Sequence, residues 1–149
     1  MTKRWTPHAT VAIIVYQQDR FLMVEEMSDG RAVFNQPAGH IEQGETVVEA
    51  AVRETLEETG WRVMPTGLLG LYTYTAPANG VTYHRYCLIA DAIEQIPNAT
   101  LDSGIIGPQW LTIEELRTSA KLRSPMVLTC AEDYLRNPHF PLDLIIEHP

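Results

Sequence analysis

GHIEQGETVVEAAVRETLEETGW, residues Gly39 to Trp61, joins a glycine-containing loop to a helix that carries three carboxylates on one side. On a helix advancing about 100° per residue, Glu54, Glu57 and Glu58 are spaced i, i+3, i+4 and share an arc of roughly 100°. Val47, Ala50 and Ala51 occupy the same arc nearer the helix start. Val48, Val52, Thr55, Leu56 and Thr59 form a separate stripe suited to burial, so the pattern predicts a helix with a packing side and an acidic side. Both ends are punctuated: Thr46 is an N-cap with Glu49 three residues on, and Gly60 supplies the left-handed stop.

Carboxylates at i and i+4 repel one another, and more strongly once desolvated. A hard divalent cation would compensate, because Mg²⁺ takes oxygen ligands and is usually held by one or two carboxylates together with substrate phosphates. The plainer reading is a solvated acidic face with Arg53 as the partner of Glu49 and Glu57.

The spacing of the whole stretch decides between them. Gly39, five residues, Glu45, seven residues, then Arg53-Glu54-Thr55-Leu56-Glu57-Glu58-Thr59-Gly60-Trp61 resembles the Nudix box, G-x5-E-x7-R-E-U-x-E-E-x-G-U with U apolar, and matches all seven fixed Gly, Glu and Arg positions. Two packing positions depart from it, Thr55 where an aliphatic residue is usual and Trp61 as an aromatic in the last apolar slot. The resemblance implies an α/β fold, a Nudix-type α/β/α sandwich around a central mixed β-sheet. It also implies that Glu57 and Glu58 ligate Mg²⁺ or Mn²⁺ with the backbone carbonyl of Gly39 nearby. Glu54 would be a further ligand or the base that activates water, and Glu45 and Arg53 would hold the loop against the helix. Phosphoanhydride cleavage needs such parts, since it rests mostly on positioning and charge neutralisation.

Outward from the box, Thr10–Tyr16 and Arg20–Glu25 are β-branched and apolar runs around the turn-like Gln17-Gln18-Asp19, read as a β-hairpin buried on both faces. Ala32–Gln36 is a short strand leading to Pro37. Beyond the helix, residues 61–75 and 81–91 read as long strands around a turn at Ala76–Gly80, where Asn79-Gly80 is the turn signal. Gln109–Leu111 runs into a helix capped by Thr112 with Glu115, and Ser124-Pro125 opens a last helix through about Arg136. The tail from Phe140 to Ile146 is apolar enough to dock.

The 149 residues, 45% hydrophobic, fit one domain spanning 1–149 with its own core. Most of the net charge of −8 is concentrated in the box, where six glutamates face Arg53 alone. No basic footprint for nucleic acid is present, which argues against that partner and leaves nucleotide substrates open. No apolar run is long enough to span a bilayer, and Cys87 and Cys130 lack metal-type spacing and read as core thiols in a reducing compartment. The expectation is therefore a cytoplasmic protein, monomer or homodimer, with a small-molecule diphosphate substrate.

Several residues outside the box are candidates for contact with it. Asp102 lies in the loop before Gln109-Trp110, where Nudix enzymes often place an additional acid that completes metal binding or acts as base; the alternative is a plain loop acid or N-cap. Tyr72, Tyr74, Tyr83 and Tyr86 lie on the long strands, where alternate side chains could line a pocket and stack on a heterocycle, with Tyr74 the favoured one. Arg85 and Arg123 are candidates for bidentate phosphate contacts. His40 sits at the mouth of the site without a second histidine at ligand spacing.

Asn35–His40 and Leu122–Pro125 are similar to the corresponding segments of a bacterial phosphatase branch of the Nudix family. That branch is associated with Mg²⁺-dependent removal of terminal phosphate from nucleoside tri- and diphosphates, and with hydrolysis of thiamine pyrophosphate and its pyrimidine pyrophosphate precursor. Within the enzyme class the alternative is a nucleoside triphosphate or ADP-sugar pyrophosphatase that cuts an internal bond. A non-catalytic Nudix-like sensor would typically have lost one or more acids of the box, and here every acid is present.

Overall fold

The computed structural model describes residues 3–148. The apolar run after Ala9 builds two strands in two different sheets. β1 (His8–Ile14) belongs to a five-stranded mixed sheet; β2 (Tyr16–Gln17) and β3 (Arg20–Ser28) form a hairpin in a second, antiparallel sheet. Gln18 and Asp19 both adopt positive φ, 51° and 61°, as a tight turn that follows the strand twist requires. The expected turn is in place, but the first strand of the expected hairpin is not one piece. It breaks at Val15, and β1 pairs elsewhere because its fully buried residues need partners on both edges.

Those partners are β5 (Ala38–His40), antiparallel, and β7 (Thr82–Gln95), parallel. β7 pairs in turn with β6 (Trp61–Thr75), and β6 with the two-residue β9 (Phe140–Pro141), giving the order β5-β1-β7-β6-β9. In the second sheet β3 takes β4 (Arg31–Asn35) on one side and β8 (Ile105–Leu111) on the other. β8 begins four residues before the expected strand, and the β6–β7 hairpin closes at Ala76–Val81, where the Asn79 side chain accepts from the Val81 N–H at 2.9 Å.

Alternation along β1 feeds two cores. Val11 and Ile13, with Val15 just past the strand end, face α1 (Val47–Thr59), meeting Val47, Ala50 and Ala51; Ala12 and Ile14 face α3 (Pro125–Arg136), meeting Val127, Cys130 and Ala131. The short α2 (Ile113–Thr118) packs beside α3 through Leu116. Helices on both faces of a mixed sheet give the expected α/β/α arrangement. Cys87 and Cys130 are free thiols buried in the α3-side core. The tail docks as expected: Leu142 and Ile145 pack on the α1-side core, and Glu147 accepts the Val47 N–H at the start of α1. No helix among the described residues is long and apolar enough to cross a membrane.

The capping of α1 follows the sequence, with Thr46 and Glu49 closing a reciprocal box and Gly60 at φ 74°. Its buried face does not. Val47, Ala50, Ala51, Glu54, Thr55 and Thr59 are buried, whereas Leu56 is exposed and Val48 and Val52 are only half-buried. The packing side and the acidic side are largely the same side. Thr55, in the aliphatic slot of the box, is fully buried because its hydroxyl donates to the Ala51 carbonyl at 2.8 Å, and Trp61 meets Trp110 edge-on at 5.6 Å between ring centres.

Candidate active site

Three segments converge where α1 passes under β5. The Ala38 N–H donates to Glu58 Oε1 at 2.9 Å, and Gly39 lies so close to Glu54 that a Cβ there would stand closer than 3.0 Å to its carboxylate. A side chain at position 39 would therefore displace the Glu54 carboxylate.

Arg53 organises the rest. Its Nε and Nη2 hold both Glu45 oxygens at 2.6 and 2.9 Å, Nη2 also reaches the His40 carbonyl at 3.0 Å, and Nη1 reaches Glu54 at 2.8 Å and Glu57 at 3.2 Å. The two-point grip on Glu45 pulls that carboxyl down to about 2 and holds the Arg53 guanidinium firmly charged. The loop Gly39–Glu45 is thereby tied to the helix. Glu49, which the spacing also offered to Arg53 as a partner, turns instead to its cap.

Burial dominates at Glu54 and Glu58. Desolvation raises Glu54 despite its contact with Arg53. It pushes Glu58 up to about 8, outweighing the Ala38 N–H, with repulsion from Glu54, Glu26 and Asp102 adding to it. Asp102 is exposed, and its backbone N–H donates to the Glu57 carbonyl at 3.0 Å, which docks its loop beside the end of α1. Among the described residues no three His, Cys, Asp or Glu side chains converge closely enough to enclose a metal ion. Such an open donor set still fits Mg²⁺ or Mn²⁺, which take part of their coordination from substrate and water. Carboxylates crowded together and desolvated are the groups that a cation would stabilise.

Beside the acids a cavity of about 720 Å³ opens on the α3 side of the mixed sheet, with Ala38, Gly39 and His40 along one edge. Arg85, Arg123 and Tyr74 all line it, together with Tyr83, Thr10 and the hairpin tip. Two of the four strand tyrosines do not: Tyr72 donates to Asp133 at 2.8 Å and ties β6 to α3, and Tyr86 packs towards the α1-side core. His40 pairs with His8 at 2.9 Å at the cavity edge.

Sequence reasoning missed Glu26 and Thr10. Glu26, 7% exposed on β3, accepts from Arg123 Nη1 at 2.5 Å and from Asn35 Nδ2 at 3.4 Å, and so fixes the arginine against the cavity wall. A second glutamate continuing the apolar run RFLMVEE was the available signal: a charge on a strand otherwise built for burial. Thr10 carries no such mark, since threonine is at home on any strand.

The NUDIX domain family matches residues 6–129. The chain is 41% identical over 140 residues to the phosphatase NudJ of Escherichia coli K12, covering 93% of this chain and 90% of that protein. It superposes on a NUDIX hydrolase from Nitrosomonas europaea with a TM-score of 0.93 and 40% identity, over 96% of this chain and 98% of that one. An ADP-ribose pyrophosphatase from Streptococcus suis, 17% identical with a TM-score of 0.67 over 91% of this chain and 96% of its own, shares the fold.

Proposed function

This chain belongs to the Nudix family of hydrolases, and on that premise we propose that it is a Mg²⁺-dependent phosphatase of diphosphate compounds. Its substrates would be nucleoside di- and triphosphates or thiamine and hydroxymethylpyrimidine pyrophosphates, with release of phosphate. The observation that carries the reading is a complete acidic box in a chain 41% identical over 93% of its length to a phosphatase of the family. Likeness to the pyrophosphatase is one of fold alone, so internal cleavage stands as the outcome to be tested against.

In this reading Glu57 and Glu58, with Glu54 and the Gly39 carbonyl beside them, hold the cation. Bound Mg²⁺ or Mn²⁺ would neutralise the phosphate oxygens and the acidic face together. Glu54 and Asp102 are the carboxylates available to take the proton of the attacking water. Arg53 keeps Glu54 and Glu57 in place. Arg85 and Arg123 orient the phosphates, and Tyr74 stacks against the planar head group.

The test is a phosphate-release assay with Mg²⁺, run with and without added inorganic pyrophosphatase, over nucleoside di- and triphosphates, ADP-sugars and thiamine pyrophosphate. Direct release of orthophosphate, abolished by EDTA, is expected. Signal that needs the auxiliary pyrophosphatase would replace the phosphatase reading by internal cleavage.

Gly39→Ala checks the site from the backbone side. The added methyl collides with the flexible end of Glu54, so the carboxylate moves and the strand stays. The expected result is a kcat lower by about 10- to 100-fold, the scale set by misplacing a reacting group by about 1 Å, with an unchanged circular dichroism spectrum. Wild-type turnover in this variant would show that the position of Glu54 is immaterial.

A further inference from the structure

The cavity is lined by two buried polar atoms that nothing among the described residues satisfies. Thr10, 3% exposed, has a hydroxyl without a hydrogen-bond partner, and Arg85 has a buried Nη1 in the same condition. The two residues face each other across β1 and β7, as direct register partners, and therefore point to the same face of the sheet. Both line the cavity. No ion pair joins Arg85 to a carboxylate among the described residues, although Arg20, Arg53, Arg62, Arg117, Arg123 and Arg136 all have one.

Each feature costs stability on its own. A buried donor without an acceptor forfeits its hydration, and a half-buried guanidinium without a counter-charge does so more severely. Valine at position 10 would fit the same strand better. Their pairing on one face, next to Gly39 and His40 on the neighbouring β5, indicates a binding function for both.

We propose that Thr10 and Arg85 form a seat for an anionic phosphoryl oxygen of the substrate, on the phosphate that is not attacked. This rests on the diphosphatase reading above and adds to it a second anchor. The diphosphate then lies between the acidic helix, reached through Gly39, and this seat one strand further in, while Tyr74 and Tyr83, on register-paired positions at the next step along the same face, flank the head group. Arg85 supplies charge and a directed N–H, and the Thr10 hydroxyl donates a second hydrogen bond to the same oxygen. A monophosphate cannot fill both places, so the seat selects a diphosphate over its monophosphate product.

The experiment is calorimetric titration of wild type, Thr10→Val, Arg85→Gln and the double variant with methylenediphosphonate, a non-hydrolysable diphosphate, in the presence of Mg²⁺. Thr10→Val should weaken binding roughly fivefold and Arg85→Gln roughly tenfold or more. The double variant should bind no more weakly than Arg85→Gln, because both groups serve one oxygen. Thr10→Val should also melt about 2–4 °C higher than wild type, since it replaces an unsatisfied buried hydroxyl by a methyl group of similar shape. Wild-type affinity in Thr10→Val, or fully additive losses, would overturn the seat. So would a loss seen for thiamine or adenosine binding and not for the diphosphonate, which would place a ring edge there. Wild-type protein that binds the diphosphonate and hydrolyses no diphosphate would defeat the hydrolase reading and leave the seat standing.

Discussion

Glu58→Gln and Glu57→Gln are each expected to lower turnover on the order of 10³-fold, because each removes a carboxylate charge that would face the bound cation in a site whose charge stabilisation is worth several kcal/mol in the transition state. Neither should unfold the protein. Glu58 is desolvated and crowded by Glu54, Glu26 and Asp102, so its ionised form is a liability in the cation-free fold. The sign for stability follows from its raised value of about 8 against an ordinary 4.5. A group that holds its proton more tightly when folded contributes stability below about pH 4.5, and that contribution is lost as pH rises through about 8. Glutamine cannot ionise and escapes this loss. In EDTA at pH 8 the Glu58→Gln protein should therefore melt a few degrees above wild type, and the advantage should vanish when Mg²⁺ is added to wild type. Turnover within threefold of wild type in both variants would refute the assigned roles of these acids.

What the sequence revealed of this site and what it concealed divide along one line. Features encoded within a few residues were legible: the Thr46–Glu49 box, the Gly60 stop, the Ser124-Pro125 start of α3 and the Asn79-Gly80 turn are all where local chemistry puts them. The acidic register of the box was legible because chemistry demands fixed spacing on a helix. Pairing was not. β1 lies beside β7, more than seventy residues downstream, and nothing in either run names the other.

The hydrophobic stripe of α1 misled for a different reason. Polarity predicts that Leu56 is buried and Glu54 exposed, and the opposite holds. Burying a carboxylate is tolerated here because Arg53 faces it on one side and a glycine backbone on the other. Local rules fail where function requires them to fail. Glu26 and Thr10 stayed hidden for the same reason, since each matters only through a neighbour brought by the tertiary fold.

Arg53 is the residue whose loss should cost the fold most. It contacts Glu45, Glu54, Glu57 and the His40 carbonyl at once, and its removal strips three acids and a loop carbonyl of their guanidinium partner, leaving Glu45 only the Glu42 N–H. Breaking a fully buried ion pair costs about 3–5 kcal/mol; with the Arg53 side chain 28% exposed, water returns part of this, and Arg53→Ala is expected to lose about 2–3 kcal/mol at pH 7 by urea unfolding. Arg53→Lys should recover little, because an ammonium cannot grip both Glu45 oxygens and reach Glu54 as well. The pH dependence separates this pair from general damage. Glu45 is held at about 2 by Arg53, below its ordinary 4.5, so its contribution is present above about pH 4.5 and is lost as pH falls through about 2. That acid-side loss should be much shallower in Arg53→Ala, and Glu45→Gln made in the Arg53→Ala background should restore about 1 kcal/mol by removing the stranded charge. Strictly additive destabilisation in the double variant, with the acid limb unchanged, would mean that the loop is held to the helix by something other than this arginine.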